Sequence, residues 1–115
     1  MKKNEIIELL EKEFVNSINE FDKTFENKSY YNKKAQEAER LGHFGDMAYY
    51  RTLAERMETE RTAQATISTK LVEVLAKIED ISFDDKNEQL FKKYNLYNIL
   101  SKKRFLTISR SLGIW

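Results

Sequence analysis

Apolar side chains in the first third of the chain recur at the spacing of one helix face. Ile7, Phe14 and Phe21 lie seven residues apart, and Ile18 and Phe25 fall between them. A ladder of alternating three- and four-residue steps is typical of an amphipathic helix that packs against another helix. The pattern therefore predicts a long helix with a helical partner.

The absence of helix breakers sets the extent of this first helix. Proline does not occur in the chain, and the first glycine is Gly42, so nothing obliges a helix to end before residue 41. The ladder weakens over residues 27–31, where Asn-Lys-Ser precedes two tyrosines. We therefore expect a helical arm over residues 1–41, helical from about residue 3, with a kink or a short break near residue 28.

The longest apolar stripe follows in the second third of the chain. Its members step by three and four residues: Tyr50, Leu53, Met57, Glu60, Gln64, Ile67, Leu71, Val74, Ile78 and Ile81. Eight of these ten are apolar, which predicts a helix over residues 46–81 whose stripe is the seam of a hairpin or of an oligomer. At 1.5 Å per residue this helix is about 50 Å long, so the hairpin is elongated.

Two polar residues, Glu60 and Gln64, interrupt the middle of that stripe. One buried polar position in a helical pairing fixes register and oligomeric state, so this layer is compatible with a homodimer. Alternatively the partner helix ends there, or the seam is hydrated. The sequence leaves these interpretations open.

Residues 41–46, Leu-Gly-His-Phe-Gly-Asp, separate the two helices. Gly42 can adopt the positive φ of a helix C-cap, and Asp46 is a candidate N-cap for the next helix. His43 is the one residue here that the reversal of direction does not require. Helix, tight turn and helix predict an antiparallel hairpin.

The last third of the chain reads as a third helical segment, over residues 84–115. Ser82 or Asp84 can cap its start, and Asn95 or Asn98 can divide it into two shorter helices. Gly113 fits a C-cap. The expected fold is all-α: one domain over residues 1–115, formed by a long, coiled-coil-like antiparallel hairpin on which the C-terminal segment packs.

Charge is balanced overall but not along the chain. Residues 1–85 carry 13 basic and 18 acidic side chains, whereas residues 86–115 carry seven basic side chains and one acidic one. The seven basic side chains of residues 86–115 form a basic cluster that can contact phosphates. The candidate nucleic-acid contacts are Lys92, Lys93, Lys102, Lys103, Arg104 and Arg110. The competing interpretation is a solvated helix face whose apolar side packs on the acidic hairpin.

Several classes of chemistry lack their residues. Cysteine is absent and His43 is the only histidine, which excludes thiolate chemistry and disfavours a nucleophilic triad. The spacing of Glu39, His43 and Asp46 suits metal ligands, but a single histidine in a helical turn favours a structural role. We predict no catalytic, cofactor or metal site. No secretory signal or membrane-spanning run is visible, so we expect a cytoplasmic protein without membrane contact.

Aromatic residues near the hairpin turn supply the remaining functional signal. Neighbours in a helix point about 100° apart, so one member of each adjacent tyrosine pair is expected on the surface. Exposed tyrosine is typical of protein interfaces. The predicted interaction residues are Tyr30, Tyr31, His43, Phe44 and Tyr49.

These observations favour a small non-catalytic adaptor or inhibitor that docks a helical surface on a larger protein. Self-association is expected too, because so long a hairpin exposes apolar seam that one short segment does not cover. The Lys- and Asn-rich composition is typical of a phage or mobile element that antagonises a host system. The alternative is a dimeric nucleic-acid-binding regulator that uses the basic C-terminal segment.

Overall fold

A computed structural model describes residues 2–98 as three helices and one short turn of 3₁₀ helix. Helix α1 spans Lys3–Arg40, α2 spans Phe44–Glu79, α3 spans Phe83–Lys93, and the 3₁₀ turn spans Leu96–Asn98. The first two helices pack along each other as an antiparallel hairpin, and α3 packs on them. The predicted all-α hairpin is therefore confirmed. The predicted C-cap at Gly113 and the rest of the C-terminal segment beyond residue 98 lie outside the described residues.

Helix α1 runs for 38 residues without a break near residue 28. The apolar ladder weakens there, but no glycine or proline interrupts the backbone hydrogen bonds. Contacts with α2 also hold this part of α1 in place. Lys28 forms an ion pair with Glu58, and the Tyr31 ring stacks on Tyr50.

The hairpin turn is a Schellman motif built around Gly42. The amide of His43 donates to the carbonyl of Ala38 at 2.8 Å, and the amide of Gly42 donates to Glu39 at 3.0 Å. Gly42 has a φ of 73°, as its predicted C-cap role requires. Because this motif reverses the chain within the three residues 41–43, α2 begins at Phe44. The prediction that Asp46 is the N-cap is therefore wrong: Asp46 lies in the first turn, where its carboxylate complements the helix dipole.

The second reversal uses a left-handed residue and a serine cap. Asp80 ends α2 with a φ of 55°, and the Ser82 hydroxyl accepts from the amide of Asp85 at 3.1 Å. Of the two predicted caps for α3, Ser82 is the one that the structure uses. Asn95, with a φ of 54°, separates α3 from the 3₁₀ turn, as one of the two predicted breaks.

The hydrophobic core lies towards the end of the hairpin that is far from Gly42, where α3 and the 3₁₀ turn join α1 and α2. Its fully buried members are Phe14, Ile18, Phe21, Val72, Leu75, Leu90, Phe91 and Leu96. The rings of Phe14 and Phe91 lie 6.2 Å apart and tilted, which ties α3 to α1 through an aromatic pair.

The seam of α2 is not the stripe that the sequence suggests. Its buried residues are Ala54, Ser68, Val72, Leu75 and Ala76. Of the predicted stripe, Glu60, Ile67 and Val74 are exposed. The other members of the stripe are half-buried: Tyr50, Leu53, Met57, Gln64, Leu71, Ile78 and Ile81.

The drift of a 3.5-residue repeat around a 3.6-residue helix explains this difference. A stripe of alternating three- and four-residue steps moves about 20° per heptad relative to a straight helix. Four heptads separate Tyr50 from Ile78, so the stripe turns by about 80° between them. It starts against α1 near the hairpin turn and leaves the seam as α2 proceeds.

The polar layer also lies elsewhere than at Glu60 and Gln64. The buried polar contact between the two long helices joins the hydroxyls of Ser17 and Ser68, which lie 2.6 Å apart. Ser68 also donates to the carbonyl of Gln64 at 2.9 Å. Two small hydroxyls hydrogen-bond to each other inside the seam, which accommodates them without a buried charge.

A buried charge cluster fixes α3 on the hairpin. Glu11 of α1 is 3% exposed and Lys86 of α3 is 2% exposed. The Nζ of Lys86 lies 2.9 Å from Glu11 and 2.5 Å from Glu79 of α2. Lys93 and the hydroxyl of Tyr94 donate to the other oxygen of Glu11, at 2.6 and 2.7 Å. One carboxylate therefore connects α1 to both ends of α3.

The contacts of this cluster keep it ionised. Burial alone would raise the pKa of Glu11, but hydrogen bonds from Lys93, Tyr94 and Lys86 outweigh it and hold the pKa at about 2. Burial opposes the charge of Lys86 in the same way, and its contacts with Glu79 and Glu11 raise its pKa above the usual value. Each charge depends on its partner, since an unpaired charge at this depth is strongly destabilising.

We predict that Glu11→Gln lowers the free energy of unfolding at neutral pH by about 3 to 5 kcal/mol, because it removes one partner of a buried pair. The carboxyl binds its proton more weakly in the folded state than in the unfolded one. Its stabilisation is therefore present above pH 4.5 and is lost as the pH falls towards about 2. Chemical denaturation at a series of pH values measures both effects.

Glu58→Gln is the matched control, because a hydrogen bond from Lys28 also lowers the pKa of Glu58, but that pair lies near the surface. It should cost about 1 kcal/mol or less. Between neutral pH and pH 2, wild type should lose about 3 kcal/mol more than Glu11→Gln does. If wild type and Glu11→Gln lost the same unfolding free energy between neutral pH and pH 2, the role of Glu11 would be contradicted.

The two glycines of the turn should respond oppositely to alanine. Gly42→Ala places a side chain at a φ of 73°, which costs about 1 to 2 kcal/mol. Gly45 lies inside α2 and a Cβ there meets nothing within 4 Å, so Gly45→Ala should stabilise by up to about 1 kcal/mol. Urea denaturation of the two variants checks both signs, and a stabilising Gly42→Ala would refute the turn geometry.

Candidate functional site

Four tyrosine rings form a continuous row across the hairpin near its turn. The ring centroids of Tyr30 and Tyr31 are 5.5 Å apart, edge to face, and those of Tyr31 and Tyr50 are 6.5 Å apart and stacked. Tyr49 completes the row at 5.4 Å from Tyr50, again edge to face. We call these four residues the tyrosine row.

The sequence places this row by pairing adjacent residues on two antiparallel helices. In each pair one ring points towards the seam and its neighbour points outwards, because successive side chains diverge by about 100°. Tyr31 and Tyr50 are half-buried, whereas Tyr30 and Tyr49 are 55% and 61% exposed. The inner pair thus supports the outer pair. The Nζ of Lys34 lies 5.7 Å from the centre of the Tyr30 ring, which gives that end of the row a cationic neighbour.

Three of the five predicted interaction residues, Tyr30, Tyr31 and Tyr49, belong to this row. Sequence reasoning assigned Tyr50 to the seam, although it is the link between the two pairs. The signal that could have found it is the same adjacency, read together with the antiparallel register of the helices. His43 and Phe44 lie at the turn itself, and Phe44 is 63% exposed.

A shallow depression of about 160 Å³ connects the turn to the row. His43 and Tyr50 both line it, together with Leu41, which is exposed and is not among the five predicted interaction residues. The aromatic surface therefore continues from the row towards the tip of the hairpin.

The same side of α2 stays apolar beyond the row. At about 100° per residue, Ile67 lies five turns along the helix from Tyr49, at nearly the same angular position, and Val74 lies within about 20° of that line. These are the three exposed large hydrophobic residues of α2 after its first turn. Half-buried Leu71 and Ile78 lie between this line and the seam.

Helix α3 covers the opposite side of the hairpin. It contacts α2 at Glu79, which is five residues and therefore about 140° from Val74. On α1 it contacts Glu11 and Phe14, which lie about 200° and 140° round the helix from exposed Leu9.

We call the side away from α3 the open face. It carries the tyrosine row at one end and an aliphatic half at the other, and its apolar members are Ile6, Leu9, Tyr30, Tyr31, Tyr49, Tyr50, Ile67, Leu71, Val74 and Ile78. Ile6 and Leu9 fall outside the apolar ladder of α1, so sequence reasoning missed them.

The side that α3 covers has a second groove, of about 360 Å³, which is a weaker candidate site. Phe21 and Ala65 lie at its base and three threonines line its wall. The hydroxyls of Thr62, Thr66 and Thr69 each donate to the carbonyl four residues earlier, so their protons are already committed to the helix.

The described part of the basic cluster is paired within the chain. Lys92 lies 2.9 Å from Glu88, and Lys93 lies 2.6 Å from Glu11. The other candidate nucleic-acid contacts, Lys102, Lys103, Arg104 and Arg110, lie outside the described residues. Of the six cations, the structure therefore places only Lys92 and Lys93, each against an acidic partner.

The candidate metal ligands at the turn are not assembled. Glu39 pairs with Arg51 at 3.0 Å rather than with His43. Within residues 2–98, no group of three or more His, Asp or Glu side chains is placed to hold a metal ion. Nor is any helix of this part both long enough and apolar enough to cross a membrane.

The chain matches no protein-family model, no curated protein and no solved structure. A functional assignment for this chain therefore rests on the geometry of its own surface, in which the tyrosine row is the most developed feature.

Proposed function

We propose that this protein is a small non-catalytic interaction module that docks the tyrosine row of its open face on a larger protein. The observation that carries the proposal is the row itself: four rings in contact, with the outer two more than half exposed. A single tyrosine on a surface is ordinary. Four tyrosine rings in contact form a continuous apolar patch that also carries hydroxyl groups.

The physical properties of such a row suit binding. Tyrosine supplies a large apolar ring and one hydroxyl, and it is enriched at interfaces and among residues that dominate binding energy. The stack of Tyr31 on Tyr50 restrains the rings before any partner arrives. A surface that is already ordered loses less side-chain entropy on binding.

The shape of the hairpin supports an adaptor or an inhibitor. The described residues form a rod 58 Å long, and the row lies near one end of it, beside exposed Leu41 and Phe44. The core and the charge cluster that hold α3 lie towards the other end. The rod can therefore present its tip to a partner without disturbing the packing on which its fold depends.

The nucleic-acid alternative gains no support from the described residues. Its two described cations, Lys92 and Lys93, are engaged with Glu88 and Glu11. It stays a prediction about the residues that follow. The proposed origin in a phage or mobile element likewise stays a prediction from composition.

The test is affinity capture from cells of the source organism with wild type and with Tyr30→Ser/Tyr49→Ser as bait. We expect wild type to recover one protein in stoichiometric amount and the double variant to recover at least about tenfold less, since hot-spot truncations cost more than about 1 kcal/mol each. Both substitutions are at exposed positions, so the thermal unfolding midpoint should hardly change.

The matched control is Asn32→Ala/Glu55→Ala, which changes two exposed residues near the turn on the side away from the row. It should recover the partner as wild type does. Equal recovery by the tyrosine variant would overturn the proposal, and so would a wild-type bait that recovers no stoichiometric partner.

A further inference from the structure

None of the described residues, 2–98, covers the aliphatic half of the open face. Ile67 and Val74 are 45% and 44% exposed, and across the hairpin Ile6 and Leu9 are 39% and 49% exposed. Aliphatic side chains that cluster on one face, unlike single ones, indicate a contact surface.

The spacing of these residues indicates a helical partner. Ile67, Leu71, Val74 and Ile78 alternate by four, three and four residues, which is the 3.5-residue period of a coiled coil. The hairpin packs through a different set of residues with the same spacing, because Ser68, Val72 and Leu75, each one residue later, form its seam there. A second stripe with coiled-coil spacing therefore lies beside the seam, with Ile67 and Val74 exposed and Leu71 packed against the edge of the core.

The charges beside the stripe are complementary between the two helices. Exposed Lys70 and Lys77 flank it on α2, within about 60° of Val74, whereas exposed Glu5 and Glu13 lie within about 40° of Leu9 on α1. The exception on α1, Lys12, is paired with Glu8 at 3.5 Å, and on α2 Lys70 also contacts Glu73 at 3.3 Å. This half of the face is basic along α2 and acidic along α1.

We propose that this surface binds the same surface of a second copy of the chain, with α2 of each copy against α1 of its partner. A two-fold axis parallel to the long helices brings the basic edge of one copy onto the acidic edge of the other. The register of the hairpin puts Lys70 about two residues from the level of Glu13 and Lys77 about three residues from the level of Glu5, since Ser17 lies opposite Ser68. An arrangement with α2 on α2 would oppose like charges.

The chain's own later residues are a less favourable occupant. The last described residues pack on the opposite side of the hairpin, where Leu96 is fully buried in the core. A segment that starts there must pass round the hairpin to reach the open face. The second copy needs no such detour and meets the same charges in complementary positions.

The proposal does not depend on the function proposed for the tyrosine row. The aliphatic half covers only part of the rod, and interfaces of small area associate weakly and reversibly. When helices of two copies cross at about 20° or 50° at the aliphatic half, the copies diverge towards their hairpin turns. The two tyrosine rows then stay accessible.

Sedimentation equilibrium of the full chain, from micromolar to millimolar concentration, tests the proposal. We expect the weight-average mass of wild type to rise from 13.7 kDa towards twice that value. Ile67→Glu/Val74→Glu should remain at 13.7 kDa throughout, while Thr59→Glu/Thr62→Glu, at exposed positions of α2 outside the aliphatic half, should associate as wild type does. Circular dichroism shows that each variant is folded.

Charge reversal identifies the pairing. Lys70→Glu/Lys77→Glu should weaken association at least about tenfold, and adding Glu5→Lys/Glu13→Lys to the same chain should restore it. A wild type that stays at 13.7 kDa up to millimolar concentration overturns the proposal. So does a dimer that the Ile67/Val74 variant still forms, or one that the fourfold charge swap fails to restore. Tyr30→Ser/Tyr49→Ser should leave the dimer intact, so this test and the partner-capture test can fail separately.

Discussion

One buried carboxylate decides how the third helix lies on the other two. Glu11 holds Lys86 near the start of α3 and Lys93 at its end, while Lys86 also reaches Glu79 of α2. A charge buried this deeply is tolerated only with its partners in place, so the cluster opposes any docking position that separates Glu11 from Lys86. The aromatic contact of Phe14 with Phe91 supplies the burial that accompanies it.

The functional surface follows from that docking. With α3 held on one side, the other side of a long two-helix rod keeps its apolar residues exposed: a tyrosine row at the tip and aliphatic residues towards the opposite end. The two ends differ in chemistry. Rings with hydroxyls suit a mixed protein surface, whereas a stripe with coiled-coil spacing between acidic and basic edges suits another helix pair.

Much of the fold could be predicted because local signals agree. Gly42 marks the turn, Ser82 caps α3, and uninterrupted helix formers extend α1 from Lys3 to Arg40. The seam of α2 could not, because a 3.5-residue stripe and the actual seam differ by a rotation that only the partner helix determines. The Glu11 cluster was also out of reach, since its partners lie 75 and 82 residues away. Of the candidate site, the tyrosine pairs were recognisable, but their contact across the hairpin depends on register.

The most direct test that the open face is a contact surface is thiol labelling at two adjacent positions of α2. The chain has no cysteine, so Ile67→Cys and Thr66→Cys each introduce a single exposed thiol on different sides of α2. In dilute solution both should react rapidly. As the chain is concentrated, only the thiol at position 67 should become slow to label. Equal rates at the two positions under all conditions, or slowing at position 66 instead, would contradict the assignment of the open face as the contact surface.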